Sequence, residues 1–370
     1  MIGGIIVLFG IIVMVMVHEA GHFVAAKAVG MKATEFFFGF GPKLWSFRKG
    51  ETEYGVKAIP LGGYVRIIGM NPYEEVAPED FGRTYRERPF WQKSIVVLAG
   101  VASHFVVAFL LFFAVASLIG IGEPTTTIRA VQPTIGGVPT PAAVAGLLPG
   151  DRITAIDGIE VEDWQSLVAA IEARPGKTVE LIVIRAEACC PLSLMPTLAA
   201  RPDDDGSGTQ GFLGVEPDRR TVRVGPLSGV AAAGGAIGEA TVASAEGLWR
   251  LVAGFGDLVG AVVTGNTDSI DDTRPASPIG LIRIGAQTED LGIAFTLELV
   301  ALINIFVGVF NVIPVYPLDG GHFSVALYEK LRGRPADVRK LLPVAAVVVL
   351  FMVLLGVLAI YLDIADPFRL

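Results

Sequence analysis

Between Ile5 and Val17 the chain holds only Ile, Val, Leu, Phe, Met and one Gly. Three more apolar runs follow: Ser94 to Ile121, a run from Leu291 through "LVALINIFVGVFNVIP", and "LLPVAAVVVLFMVLLGVLAIYL" from Leu341 to Leu362. An apolar stretch of about 18 residues or more is long enough to cross a bilayer. Lipid offers no hydrogen bonds, so such a stretch must satisfy its backbone internally, as a helix. Only 18% of residues are charged, against about 25% in an ordinary soluble chain. The pattern predicts a polytopic α-helical membrane protein with four transmembrane helices.

The first span, residues 1–30, is expected to be retained. Ala26-Lys27-Ala28 imitates a signal-peptide cleavage site, but no basic residue precedes the apolar run and ionisable residues lie within it. Lys and Arg set the orientation. Residues 31–93 carry ten basic residues, and Lys330, Arg332, Arg334, Arg339 and Lys340 cluster before the last run, whereas residues 122–291 carry 12 basic and 22 acidic residues. The positive-inside bias predicts both basic loops in the cytoplasm and the long acidic segment outside. The expected organisation is a cytoplasmic-side loop at 31–93, spans at 94–121, 291–325 and 341–362, an extracytoplasmic domain at 122–225 and an extracytoplasmic helical segment at 226–290. In that last segment Gly225 to Gly265 has the periodicity of an amphipathic surface helix. The net charge of −8 speaks against nucleic acid as a partner. Cys189 and Cys190 are adjacent, which makes no disulfide framework and no zinc ribbon.

Inside the first span stands "HEAGH", residues 18–22. On a helix, His18 and His22 lie at i and i+4 on one face. That spacing suits two imidazole ligands to one Zn²⁺, with Glu19 beside them as general base. Zinc held this way makes water a hydroxide source near neutral pH, and a carboxylate can relay its proton to a leaving amine. Ionisable groups inside a span are costly unless functional. A catalytic zinc needs a third protein ligand. His104, His322, Asp319 and Glu298 are the candidates, and depth favours the cytoplasmic end of the third span over Glu298. There "NVIPVYPLDGGH", residues 311–322, combines two prolines with a Gly pair. Such backbone predicts a broken span lining a cavity, with a Pro-kinked helix as the alternative.

In the outer segment, "PAAVAGLLPGDRITAIDGIEVEDWQSLVAAIEARPGKTVELIVIR" alternates turn signals with short strands and one helix. Its order resembles a PDZ domain of the bacterial protease type. With "HEAGH", "GFGPKLW", "GETEYGVKAIPLGGYVRIIGM" and "NVIPVYPLDGGH", the whole chain resembles the site-2 protease family, intramembrane zinc metalloproteases, and most closely its bacterial branch that cleaves anti-sigma factors. The resemblance implies His18, His22 and Asp319 as zinc ligands, Glu19 as catalytic acid/base and Asn311 as a residue holding the substrate or its oxyanion. It also makes "ETEYGVKAIPLGGYVRI" a membrane-associated β-hairpin whose edge pairs with an unwound substrate.

The implied fold is therefore four transmembrane helices with that hairpin and an inserted extracytoplasmic PDZ-like α+β domain. The implied setting is a bacterial cytoplasmic membrane, with the active site in its cytoplasmic half. The implied partner is a single-pass membrane protein, an anti-sigma factor first cut outside by a site-1-type protease. Many relatives have Leu-Ala-Gly-Pro-x-x-Asn in the second span; here it is "LAGVASH". His104 reads as a packing substitution, or else as a side chain reaching the metal site. Two other classes are weighed. A zinc-binding receptor or scaffold has no use for Glu19, and a metal transporter would spread ionisable groups along several spans rather than gather them at one depth.

Overall fold

The computed structural model describes residues 1–370 except 72–73, 136, 187, 203–207, 265–273, 288–290 and 366–370. The described chain divides into two compact units, Met1–Ile119 with Val224–Leu370, and Gly120–Arg223.

The first unit is helical apart from one sheet. α1 (Ile2–Ala28) leads into β1 (Ala33–Lys49) and β2 (Thr52–Ile67), then α2 (Phe90–Ala114), which a π turn extends through Val115–Ile119. α2 begins earlier than the apolar run at Ser94, because Pro89 occupies the N-cap in extended conformation and Phe90 can start the helix. Four helices are long and apolar enough to cross a membrane: Ile2–Ala28, Phe90–Ile119, Ile293–Val312 and Arg339–Ala365. Their number is the one expected from the sequence, and each overlaps an expected apolar run, although the third helix ends at Val312 and not at residue 325.

β1 and β2 pair antiparallel, but not as a plain hairpin. Phe36 pairs with both Val65 and Tyr54, and Phe38 with both Gly63 and Val56. Each strand folds back on itself, so the start of β1 lies between the two halves of β2. The far half, from Phe40 to Phe47, leaves Phe40, Leu44, Trp45 and Phe47 exposed. An apolar patch of that kind marks a surface meant for lipid or a partner.

The second unit is an α+β domain. Its elements are β3 (Ile121–Val131), β4 (Thr134–Ile135), β5 (Val138–Pro139), α3 (Pro141–Val144), β6 (Arg152–Ile156), β7 (Ile159–Glu160), α4 (Trp164–Glu172), β8 (Leu181–Ile184), β9 (Leu192–Leu194), β10 (Ala199–Pro202), β11 (Thr209–Phe212) and β12 (Val215–Val222). The main antiparallel sheet runs β12-β3-β6-β8-β9, with β7 on β6. β3 and β12 pair Ile121 with Val222, so the insert begins and ends side by side. Asp157-Gly158 makes the two-residue turn between β6 and β7, both at positive φ as a type I′ hairpin requires. Asp163 and Ser166 form a capping box on α4. Ile128, Ile153, Ile156, Leu167, Leu181 and Val183 fill the core. Cys189 and Cys190 are exposed and unbonded to one another.

The chain continues with α5 (Pro226–Ala253), α6 (Phe255–Thr264), α7 (Pro278–Gln287), α8 (Ile293–Val312), α9 (Asp319–Arg332) and α10 (Leu342–Ala365). α5 was expected as a surface helix. One face of it buries Ala233 and Ala240 against Ala108, Phe112, Ala301 and Ile305 of α2 and α8, where its small residues permit close approach to the spans, while most of the helix is exposed.

Candidate metal centre

α1, α2 and the junction between α8 and α9 bring the ionisable residues together. α8 ends at Val312. Ile313, preceding Pro314, is extended at φ −54° and ψ 127°, the conformation that a following proline enforces. Helix resumes only at Asp319. The stretch is a break between two helices and not a kink within one. A Cβ on Gly320 would lie 2.0 Å from the Val312 carbonyl oxygen, so only glycine lets the break close tightly enough to deliver Asp319. α1 and α2 meet just as closely. A Cβ on Gly100 would stand 2.3 Å from the His22 ring.

The result is a convergence of three ligand atoms. His18 Nε2 lies 3.2 Å from His22 Nε2, and Asp319 Oδ2 lies 3.5 Å from the former and 3.3 Å from the latter. His18, His22 and Asp319 form the one group of three or more potential metal ligands among the described residues. His22 Nδ1 donates to the Val96 carbonyl at 2.8 Å, which leaves its Nε2 lone pair facing the cluster. Asp319 Oδ2 is buried with no hydrogen-bond partner. Lone pairs from two imidazoles and a carboxylate at this spacing repel unless a cation lies among them. The donor set, two His and one carboxylate, is one that catalytic zinc uses, and the residues therefore fit the metal.

Glu19, next to His18 on α1, accepts a hydrogen bond from the Val65 backbone N–H at 2.9 Å through Oε2. Val65 belongs to the last stretch of β2, Gly63–Ile67, which has a ladder partner on one side only among the described residues. A network steadies this stretch. The Tyr64 hydroxyl donates to Glu35, and Arg66 reaches both Glu35 at 2.9 Å and Glu74 at 2.8 Å. Burial opposes ionisation of Glu35, but the Tyr64 hydroxyl and the Arg66 guanidinium outweigh it and hold that carboxyl below its ordinary range.

The remaining candidates are not members of the ligand group. Asn311 lies near the end of α8, and its Nδ2 donates to the Val307 carbonyl at 3.0 Å. His322 rests against Tyr316, ring centroids 4.8 Å apart. Glu298 is in α8 and outside the ligand group. His104 is at the site: its ring is 4.9 Å from that of His18. Sequence reasoning missed Val65 and Asn304. Asn304 is 1% exposed, and its Oδ1 lies 3.4 Å from His104 Nδ1. A polar residue within the apolar run of α8 was the available signal for Asn304. A backbone donor such as Val65 leaves none.

Compared with known protein families, residues 6–355 match peptidase family M50. The chain is similar to "Zinc metalloprotease Rip1" of Mycolicibacterium smegmatis, 33% identical over 99% of this chain and 98% of that one. "Zinc metalloprotease Rip1" of Mycobacterium tuberculosis is also 33% identical, over the same shares. "Putative zinc metalloprotease all3971" of Nostoc sp. is 32% identical over 87% of this chain and 85% of its own length. Among solved structures, the PDZ domain of an SdrC-like protein from Listeria monocytogenes matches 26% of this chain and 90% of itself, at 22% identity and a TM-score of 0.21.

Proposed function

The chain belongs to peptidase family M50 as a multi-pass membrane zinc metalloprotease, and on that premise we propose that it cuts single-pass membrane proteins within or near their spans. The observation that carries the reading is the cluster of His18, His22 and Asp319, with the Glu19 carboxylate beside it in a mostly apolar helix.

His18, His22 and Asp319 hold the zinc in this reading. When bound, zinc supplies a Lewis acid for the scissile carbonyl and a hydroxide source near neutral pH. Glu19 removes a proton from the attacking water and passes it to the departing nitrogen. The C–N bond breaks, the water oxygen stays on the new carboxyl group and the new amine keeps the proton. The Val65 N–H holds one oxygen of Glu19, leaving the other for proton transfer. A substrate segment leaving its helix adds to the one-sided stretch Gly63–Ile67 by backbone pairing, which brings it beside the base. Asn311 offers an amide to the substrate or its developing oxyanion.

The charge bias of the loops supports a cytoplasmic site and an insert on the other face. The insert is PDZ-like in this reading and restrains substrates that keep a bulky ectodomain. The substrate is an anti-sigma factor already trimmed outside by another protease, and the released fragment enters the cytoplasm. Reconstituted full-length chain should cut a trimmed anti-sigma factor, and replacing residues 122–225 by a short flexible linker should admit the untrimmed form as well. A linker variant that retains zinc but no longer cuts the trimmed substrate would contradict the restraint and favour docking.

A further inference from the structure

The two imidazoles of the metal centre differ in what holds their outer nitrogen. His22 Nδ1 has the Val96 carbonyl. His18 Nδ1 is buried with no hydrogen-bond partner. A ligating imidazole nearly always donates its second N–H to an acceptor, which fixes tautomer and ring orientation. With Nε2 turned toward His22 and Asp319, the proton of His18 sits on Nδ1, a buried donor lacking an acceptor.

Beside it is an orphan of the opposite kind. His104 is 2% exposed, and its Nε2 is buried with no partner. Its tautomer follows from its neighbour. Asn304 gives Nδ2 to the Val300 carbonyl at 2.9 Å, which turns Oδ1 toward His104 Nδ1. An amide oxygen only accepts, so His104 carries its proton on Nδ1 and presents a lone pair at Nε2. The His18 and His104 rings are 4.9 Å apart and tilted by 32°. That is about the 5 Å separation of two imidazoles joined edge to edge by an N–H···N bond of ordinary length. The two nitrogens are not hydrogen-bonded as they stand, and the broad χ2 torsion of histidine allows the ring rotation that would join them.

We propose that His104 is the positioning residue for His18: its Nε2 accepts the His18 Nδ1–H, and Asn304 sets the tautomer that allows it. The donors then run one way, from His18 to His104 to Asn304 to the Val300 carbonyl. One chain of hydrogen bonds ties a ligand on α1 through α2 to α8, the helix that leads to Asp319. The competing acceptor is the Gly100 carbonyl. It stands within reach of His18 and, having two lone pairs, can accept from it as well as from Ser103 Oγ at 2.7 Å; the His104→Phe variant separates the two acceptors.

The inference rests on His18 being a zinc ligand. It is tested by zinc competition against a chromophoric chelator, using full-length chain in detergent. His104→Phe keeps a ring and removes the acceptor; His104→Gln keeps an acceptor and removes the ring. Positioning predicts that Phe weakens zinc binding about 10- to 100-fold, while Gln stays within a few-fold of wild type. A packing role predicts the reverse order. Asn304→Leu should also weaken zinc, and Asn304→Asp should not, which keeps the test open if the Phe variant fails to fold. Wild-type affinity in His104→Phe, weaker binding in Gln than in Phe, or equal affinity in Asn304→Leu and Asn304→Asp would overturn the proposal. His18→Ala is measured alongside. Retained affinity there sinks the ligand reading itself, whereas lost affinity there with an unchanged His104→Phe sinks only this inference.

Discussion

Asp151 and Asp319 are both buried carboxylates, and they are treated differently. Asp151, fully buried in the inserted domain, receives Arg185 Nε at 2.7 Å, Arg185 Nη2 at 2.8 Å and the Leu148 N–H at 2.9 Å. Its charge is matched within the fold. Asp319 Oδ2 meets only imidazole nitrogens, and among the described residues no Lys or Arg forms an ion pair with it. On the proposed reading, Asp151 finds its cation in the chain and Asp319 keeps that place for a metal. An uncompensated charge inside a membrane is costly, which makes such a carboxylate a functional candidate.

The comparison breaks most sharply at the ligands. His18→Ala and His22→Ala should each abolish cleavage and strip zinc from the purified chain, read by elemental analysis beside a substrate assay. Zinc-replete His22→Ala would place the metal elsewhere. Next comes Glu19→Gln, which keeps size and hydrogen bonding but cannot take a proton. Cleavage should fall by about 10²- to 10⁴-fold while zinc stays bound, and full activity would remove Glu19 from the chemistry.

Swapping the two aspartates sharpens the contrast. Asp319→Asn should cost metal and leave the helices folded. Asp151→Asn should keep metal but destabilise the insert by about 3 kcal/mol, the low end for a broken buried pair, since Arg185 is partly exposed. Hydrogen exchange at Ile153 and Val183 in the intact chain reads the second effect, and unchanged protection would refute it. The smallest effect is one of pH. Burial raises the Asp151 carboxyl, but Arg185 and the Leu148 N–H outweigh it, and its folded pKa lies below the ordinary value. The stabilisation is therefore full above the unfolded value near 4 and lost as pH falls through the folded one. Exchange protection in the insert should decline below about pH 4, and Asp151→Asn should flatten that decline.

Much of this was legible in sequence, for physical reasons. Periodic apolar runs report their own helices, so α1, α2, α8 and α10 were foreseen. His18 and His22 were legible because helical spacing alone puts them on one face. In the insert, Asp157-Gly158 was legible as one of the turn signals, because few pairs tolerate two positive φ values. The double pairing of Phe36 and Phe38 was not legible, since alternation along a strand does not say how many neighbours it has. Which helices the buried face of α5 meets was hidden in its small residues, which suit a surface as well as a close contact. The geometry at His104 depended on Asn304, 200 residues away, and no local pattern carries such a pairing.

The most direct test of the metal centre is zinc K-edge X-ray absorption on the full-length chain. The account predicts a shell of nitrogen and oxygen at about 2.0–2.2 Å, with the outer-ring scattering of two imidazoles and no sulfur. That pattern should vanish with the metal in Asp319→Ala. A third imidazole, implicating His104 or His322, or a sulfur shell from Cys189 or Cys190, would contradict it.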